Sequence, residues 1–233
     1  MPVPEVRIRG GIKGRCGSAT RSWFWSVALG IGAACLSGLG CGAVGFVAEA
    51  VAGGPKQVNV KAAYTGLAGK RVAVLVVVTD ATLFEYPEAP TKLGRAVGSR
   101  IAGNVTGVSV VAPAEVTRFQ NANPHWDSVP ASALIERLGV ERLVMIDVAE
   151  YSTHEPGNAH VFRGILAGNV DVLEGDGANP NNAVFSERVA IRYPEGTAVS
   201  VLAGDVATIE LGMLDLFSRA AAGLFSDHTV LRE

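Results

Sequence analysis

The hydrophobic and polar positions of this 233-residue chain fall into blocks of different period. "KRVAVLVVVTD" (70–80) is a continuous β-branched run, which predicts a central strand covered on both faces. "TLFEYPEAP" (82–90) breaks that period and ends in proline, so it predicts a loop. In "TKLGRAVGSRIAGNV" (91–105), Leu93, Val97 and Ile101 recur every four residues, which predicts a helix with Pro90 suited to its first turn. "VSVVAP" (108–113) predicts a short strand. "PAEVTRFQNA" (113–122) predicts a short helix with Val116 and Phe119 inward. In "NPHWDSVPASALIERLGV" (123–140), a loop leads to a helix with Ser128 as N-cap and Gly139 as the stop.

Three further strands are expected at 142–152, 160–175 and 183–196. In the fourth strand Phe162, Leu166, Val170 and Val172 oppose Arg163, Asn169 and Asp171. In the fifth, Phe185, Val189, Ile191 and Tyr193 oppose Ser186, Arg188 and Arg192. Such alternation belongs to antiparallel strands with one wet face. The segment 206–228 predicts a final helix, with Ile209, Met213, Leu216 or Phe217, Ala220 and Leu224 inward. The order β-α-β-α-α-β-β-β-α predicts an α/β (α+β) fold. Its mixed five-stranded sheet is parallel early and antiparallel late, with helices packed on it.

The first forty residues follow different rules. Arg7, Arg9, Lys13, Arg15 and Arg21 precede the uncharged run "WFWSVALGIGAACLSGLG", after which small residues lead to Cys41. A basic region, an apolar region and a small-residue site, in that order, form a secretory signal. The division expected is a signal peptide at 1–40, a Gly/Ala-rich tether at 41–66 and a folded domain at 67–233. Apolar character continues to Gly54, broken only by Glu49. An uncleaved membrane anchor is therefore the competing reading.

Charge and cysteine content narrow the function. The net charge is −2, but the leader holds five basic groups and one acid, so the rest carries fifteen basic and twenty-one acidic groups. An acidic body without a basic stripe excludes nucleic acid as the expected partner. All three cysteines (Cys16, Cys35, Cys41) lie in the first 41 residues, so the body has neither a disulfide framework nor a thiolate metal site.

Candidate chemistry is sparse. His154, Glu155 and His160 share one predicted hairpin loop, and His-Glu-His is a donor set for zinc. This supports, as an alternative, an extracytoplasmic metal-dependent hydrolase. Asp147 and Glu150 form a weak acid–base pair on a strand. Trp126, between His125 and Asp127, and the 82–90 loop with Phe84 and Tyr86, are candidate partner contacts. "GLAGKRV" (66–72) lacks the P-loop spacing, and no G-x-S-x-G occurs. No cofactor is expected.

The leader resembles that of bacterial lipoproteins, in which the cysteine after the small residues receives the lipid. Gly38-Leu39-Gly40 precede Cys41, with the leucine displaced by one from the usual place; Cys35 after Gly32-Ala33-Ala34 is a second candidate. Gly42, where the inner-membrane retention signal has Asp, implies sorting to the outer membrane, facing the periplasm. The body, from "KRVAVLVVV" through "LGVERLVMIDV" and "FRGILAGNVDVLEGDG", resembles the α/β domain of three groups. These are the TolB N-terminal domain, the CsgG-like curli-secretion lipoproteins and the LpoB-like penicillin-binding-protein activators. The resemblance implies a non-enzymatic, membrane-anchored module that binds a protein in envelope assembly, secretion or cell-wall synthesis. A ring-forming secretion subunit is a further alternative. No site residue transfers from it.

Overall fold

The computed structural model describes residues 56–195, 199–200 and 205–232, all within one compact unit spanning Gly53–Glu233. The elements in chain order are β1 (Lys56–Val60), β2 (Arg71–Val78), α1 (Asp80–Glu85), α2 (Ala89–Asn104), β3 (Ser109–Val110) and α3 (Pro113–Ala122). A 3-10 turn at Trp126–Ser128 leads into α4 (Ala131–Leu138). Then come β4 (Arg142–Glu155), β5 (Asn158–Glu174), β6 (Phe185–Tyr193), β7 (Val199–Ser200), α5 (Val206–Gly223) and β8 (His228–Arg232).

The sheet runs β3-β2-β4-β5-β6, with β7 added on β5. β2 is parallel to both β3 and β4, whereas β5 is antiparallel to β4 and β6. The parallel start and antiparallel finish are those the sequence predicts. A separate ribbon pairs β1 antiparallel with β8, from Lys56↔Arg232 to Val60↔His228.

Two apolar layers cover the sheet. On one face Val72, Val74 and Val76 of β2 meet the stripe Leu93, Val97 and Ile101 of α2, together with Met213 and Phe217 of α5. Those three α2 residues are at most 1% exposed, so the four-residue stripe read from the sequence is the buried one. On the other face Ala73, Leu75, Leu143 and Leu173 meet Val116 of α3 and Leu134, Ile135 and Leu138 of α4. Helices therefore sit on both faces, which is why β2 is apolar from Val72 to Val78.

The structure moves several boundaries. Residues 56–66, expected to be tether, belong to the fold: β1 pairs with β8, and the amides of Ala63 and Tyr64 donate to the Leu224 carbonyl at 2.8 and 3.0 Å. The 82–90 loop is in part helix, because the Thr79 hydroxyl caps α1 by accepting from the Thr82 amide. Ser128 lies in the 3-10 turn, and Pro130 stands at the N-cap of α4. The stop at Gly139 is as expected, in left-handed backbone with φ 62°. The last helix ends at Gly223; residues 224–227, expected to continue it, form a turn, and His228 begins β8.

Candidate functional site

Three places gather chemistry or exposed apolar surface. The first is the end of the domain where β2 finishes. There α1 is a six-residue helix with no buried residue; Phe84 is 93% exposed and Leu83 46%. A short helix that buries nothing has to be held by its flanks. Thr79 caps one end. At the other, Tyr86 turns inward, with its ring 4.9 Å from that of Tyr151 and its hydroxyl 3.2 Å from Thr153 Oγ1. The Thr153 amide also donates to that hydroxyl, at 3.3 Å.

Tyr151 is itself fixed: its hydroxyl donates to Glu210 Oε1 of α5 at 2.8 Å, and Lys92 donates to Oε2 at 2.8 Å. Burial, reinforced by that carboxylate, pushes the Tyr151 phenol well above its ordinary range. The two aromatic residues read together from the sequence thus have opposite roles. Tyr86 anchors, and Phe84 is presented.

Beside this helix is an open cleft of about 550 Å³, lined by Glu85, Ser152, His154, Glu155 and the Pro156-Gly157-Asn158 turn. The proposed zinc donors are not brought together in it. His154 Nδ1 lies 3.1 Å from Thr153 Oγ1, and its ring packs at a tilt against Phe162, centroids 5.0 Å apart. Glu155 faces Arg163 at 2.9 Å, and His160 is exposed. Among the described residues, no group of three or more His, Cys, Asp or Glu is arranged to hold a metal.

The second place is the opposite end of β4. Arg142, 6% exposed, donates to Asp176 at 2.5 Å and to the Glu141 carbonyl at 2.9 Å, and lies 3.5 Å from Glu174. The Tyr64 hydroxyl donates to Glu174 at 2.5 Å, and Lys70 pairs with Glu141 at 2.8 Å. Burial and then the Glu174 hydrogen bond push Tyr64 up to about 12. The Arg142 hydrogen bond holds Asp176 below the ordinary carboxylate range. Each charge here already has an opposite partner, so the cluster fastens β4, β5 and the segment before β2.

The third place is a groove of about 760 Å³ between the β1–β8 ribbon, the second half of α5 and β6. Val60, Ala190, Ile191, Leu216, Ala220 and Leu224 line it. It arises because α5 buries Ile209, Met213, Phe217 and Ala221, each at most 3% exposed. Its surplus apolar residues therefore lie beside the buried stripe. Among the described strands, β6 is also an edge strand of the sheet.

The remaining sequence candidates are structural or outlying. Trp126 is half-buried against the second core layer. Asp147 is exposed, in register with Asn169, which is in turn in register with Arg188. His228 begins β8 with Nδ1 3.1 Å from the Ser226 carbonyl. Cys41 and Cys35 lie outside the described residues. Among the described residues, no helix is long and apolar enough to cross a membrane. The sequence singled out Phe84, with Tyr86, as a partner contact of the 82–90 segment. It gave no sign of the groove, whose walls come from residues as far apart as Val60 and Val230.

The chain matches no protein-family model and no curated protein. Among solved structures, it is similar to the PelC dodecamer of Paraburkholderia phytofirmans at 9% identity and TM-score 0.42, over 73% of this chain and 97% of that one. It is also similar to lipoprotein GNA1162 of Neisseria meningitidis, at 12% identity and TM-score 0.42, over 65% and 97% of the two chains. A third similar structure is protein CT253 of Chlamydia trachomatis, at 12% identity and TM-score 0.39, over 71% and 98%.

Proposed function

We propose that this protein is a lipid-anchored extracytoplasmic lipoprotein whose α/β domain serves as a non-enzymatic docking module for a protein of the cell envelope. The leader supports the location: a basic region, an uncharged apolar run and small residues end at Cys41, and Gly42 follows. A diacylated cysteine supplies the two hydrophobic signals that stable anchoring needs. The tether raises the local concentration of the domain at the membrane surface.

One observation carries the docking role: the full exposure of Phe84 on a helix held rigid at both ends. An aromatic side chain in water forgoes about 2–3 kcal/mol of burial, and aromatic residues are the usual energetic centres of interfaces. Rigidity matters because a pre-ordered contact loses little entropy on binding. The position also fits a tethered reader. The chain enters at β1, beside the C-terminal end of α5, where Ala63 and Tyr64 bond to Leu224. Phe84 belongs to the end braced on Glu210, fourteen residues back along α5, or roughly 21 Å at the helical rise. The knob therefore stands away from the point of attachment.

The experiment has two arms. Protein extracted from membranes is expected to begin at Cys41 and to carry two or three acyl chains by intact mass, and Cys41→Ser is expected to leave it unmodified. Phe84→Asp is expected to abolish co-purification of the envelope partner while the melting temperature stays within about 2 °C. An unprocessed, unlipidated chain overturns the anchor. Unchanged co-purification by Phe84→Asp overturns the docking role.

A further inference from the structure

The charges around the groove cancel. Lys61 pairs with Asp227 at 2.6 Å, Arg219 pairs with Asp215 at 2.5 Å, and Arg192 shares the rim with Glu195. Inside that rim the trough is apolar. Val60, Ile191, Leu216 and Leu224 stand in its walls, and none of them is buried by the protein. The apolar surface continues onto the ribbon. Val58 and Val60 are two apart on β1 and so share a face, and Val230 of β8 stands opposite Val58. These three valines are 37%, 37% and 41% exposed. A two-stranded ribbon is marginal in water unless a face is packed, and this one leaves its valine face open.

We infer that the trough and the valine face together are the domain's contact with the bilayer, and that an acyl chain of a membrane phospholipid fills the trough. The inference rests on the reading of Cys41 as the lipid anchor and adds where the domain itself touches the membrane. Location, size and charge each favour hydrocarbon as the occupant. Strand β1 is both a wall of the groove and the first strand after the tether, and the fifteen residues from Cys41 to Lys56 span at most about 50 Å. Within that radius of the anchor, a contact too weak to recruit a free protein stays occupied. A trough of about 760 Å³ falls in the size range of sites for small apolar molecules. A balanced rim offers no net field to an acidic or a basic partner, and an uncharged chain needs none. Phe84, at the other end of α5, is then directed away from the lipid and toward partners.

The test uses the full chain as cells mature it, purified from membranes and reconstituted into phosphatidylcholine vesicles. A fraction of the phosphatidylcholine carries a diazirine on one acyl chain. The protein's own lipid carries none, so every adduct comes from the bilayer. After illumination, peptide mapping is expected to place adducts in the trough, within 190–192 or 216–224, and on the ribbon, within 58–60 or 228–230. None is expected within 80–90. Because the rim is balanced, labelling is expected to hold when phosphatidylglycerol is added and when salt is raised. Ala220→Glu and, separately, Ala190→Glu place an acid in the trough at exposed positions. Each is expected to cut trough labelling at least about tenfold, the scale of a carboxylate set against hydrocarbon, with the melting temperature unchanged.

An acylated chain, verified by intact mass, that shows no adduct in the trough overturns the inference and leaves the anchor standing. So does labelling confined to 80–90, labelling that requires phosphatidylglycerol and disappears in salt, or labelling that both acids leave unchanged. A chain without acyl groups overturns the anchor and the inference with it.

Discussion

Tyr151 and Glu210 join the sheet to the last helix: the phenol of β4 donates to the carboxylate of α5 at 2.8 Å, and Tyr151 is only 6% exposed. Lys92 reaches the other oxygen of the same carboxylate. The two contacts differ in worth. A buried hydrogen bond to a charged group contributes about 1.5 kcal/mol or more. The Lys92 pair, with the lysine 38% exposed, contributes below about 1 kcal/mol. Tyr151→Phe is therefore expected to lower unfolding free energy more than Lys92→Met, and urea denaturation of both variants checks the order.

Alkaline pH offers a second test. Burial and the Glu174 hydrogen bond hold the Tyr64 phenol protonated up to about 12. The unfolded phenol ionises near 10. Because the folded value is raised, the stabilisation is whole below about pH 10 and is lost as pH climbs toward 12. The chain has four tyrosines, Tyr64, Tyr86, Tyr151 and Tyr193. Absorbance titration is expected to show Tyr64 and Tyr151 ionising late. Stability between pH 10 and 12 is expected to fall less steeply in Tyr64→Phe than in wild type.

Two phenylalanines differ in what their loss costs the fold. Phe217 is fully buried between α5 and the sheet, and Phe217→Ala is expected to cost about 3–5 kcal/mol. Phe84→Ala is expected to change stability by no more than about 0.5 kcal/mol, as at any exposed site without packing. Denaturant midpoints for the pair check this. A large loss at Phe84 would assign it a structural role.

How much of this was legible in the sequence depends on range. Helix α2 announced itself because Leu93, Val97 and Ile101 repeat at helical spacing, and β2 because every residue from Val72 to Val78 is apolar. Strands β1 and β8 did not, since Lys56 pairs with Arg232 across nearly the whole chain and five residues carry too little pattern. Helix α1 was hidden for another reason. Its apolar residues face out, so no periodic stripe marks it, and only the Thr79 cap betrays its start. The α5 stripe was placed one residue off toward its end: Ala221 is the buried position, leaving Ala220 to face the groove. That slip follows from a helix carrying more apolar residues than its core face uses. The knob's aromatic was visible in the sequence, but its exposure was set by tertiary contacts of Tyr86.

Glycines with a packing duty are distinguishable from those without. A Cβ at Gly168 would stand 2.6 Å from the Asp147 carbonyl oxygen, backbone that cannot swing aside. It sits where β4 and β5 slip register between Val148 and Glu150. Gly168→Ala is expected to destabilise by roughly 1–3 kcal/mol, the range for overpacking. A Cβ at Gly103 in α2 meets nothing within 4 Å, and Gly103→Ala is expected to stabilise by about 0.5–1 kcal/mol. Thermal melts of the two variants are expected to move in opposite directions.

The account's central claim is that α1 is the surface with which this tethered domain meets other proteins. Site-specific photo-crosslinking in intact cells addresses it most directly, with benzoylphenylalanine at position 84 and, as control, at Glu115, another exposed position, on α3. The account predicts discrete covalent protein adducts from position 84 and none from position 115. Absence of adducts from position 84, or the same adducts from both positions, would contradict it.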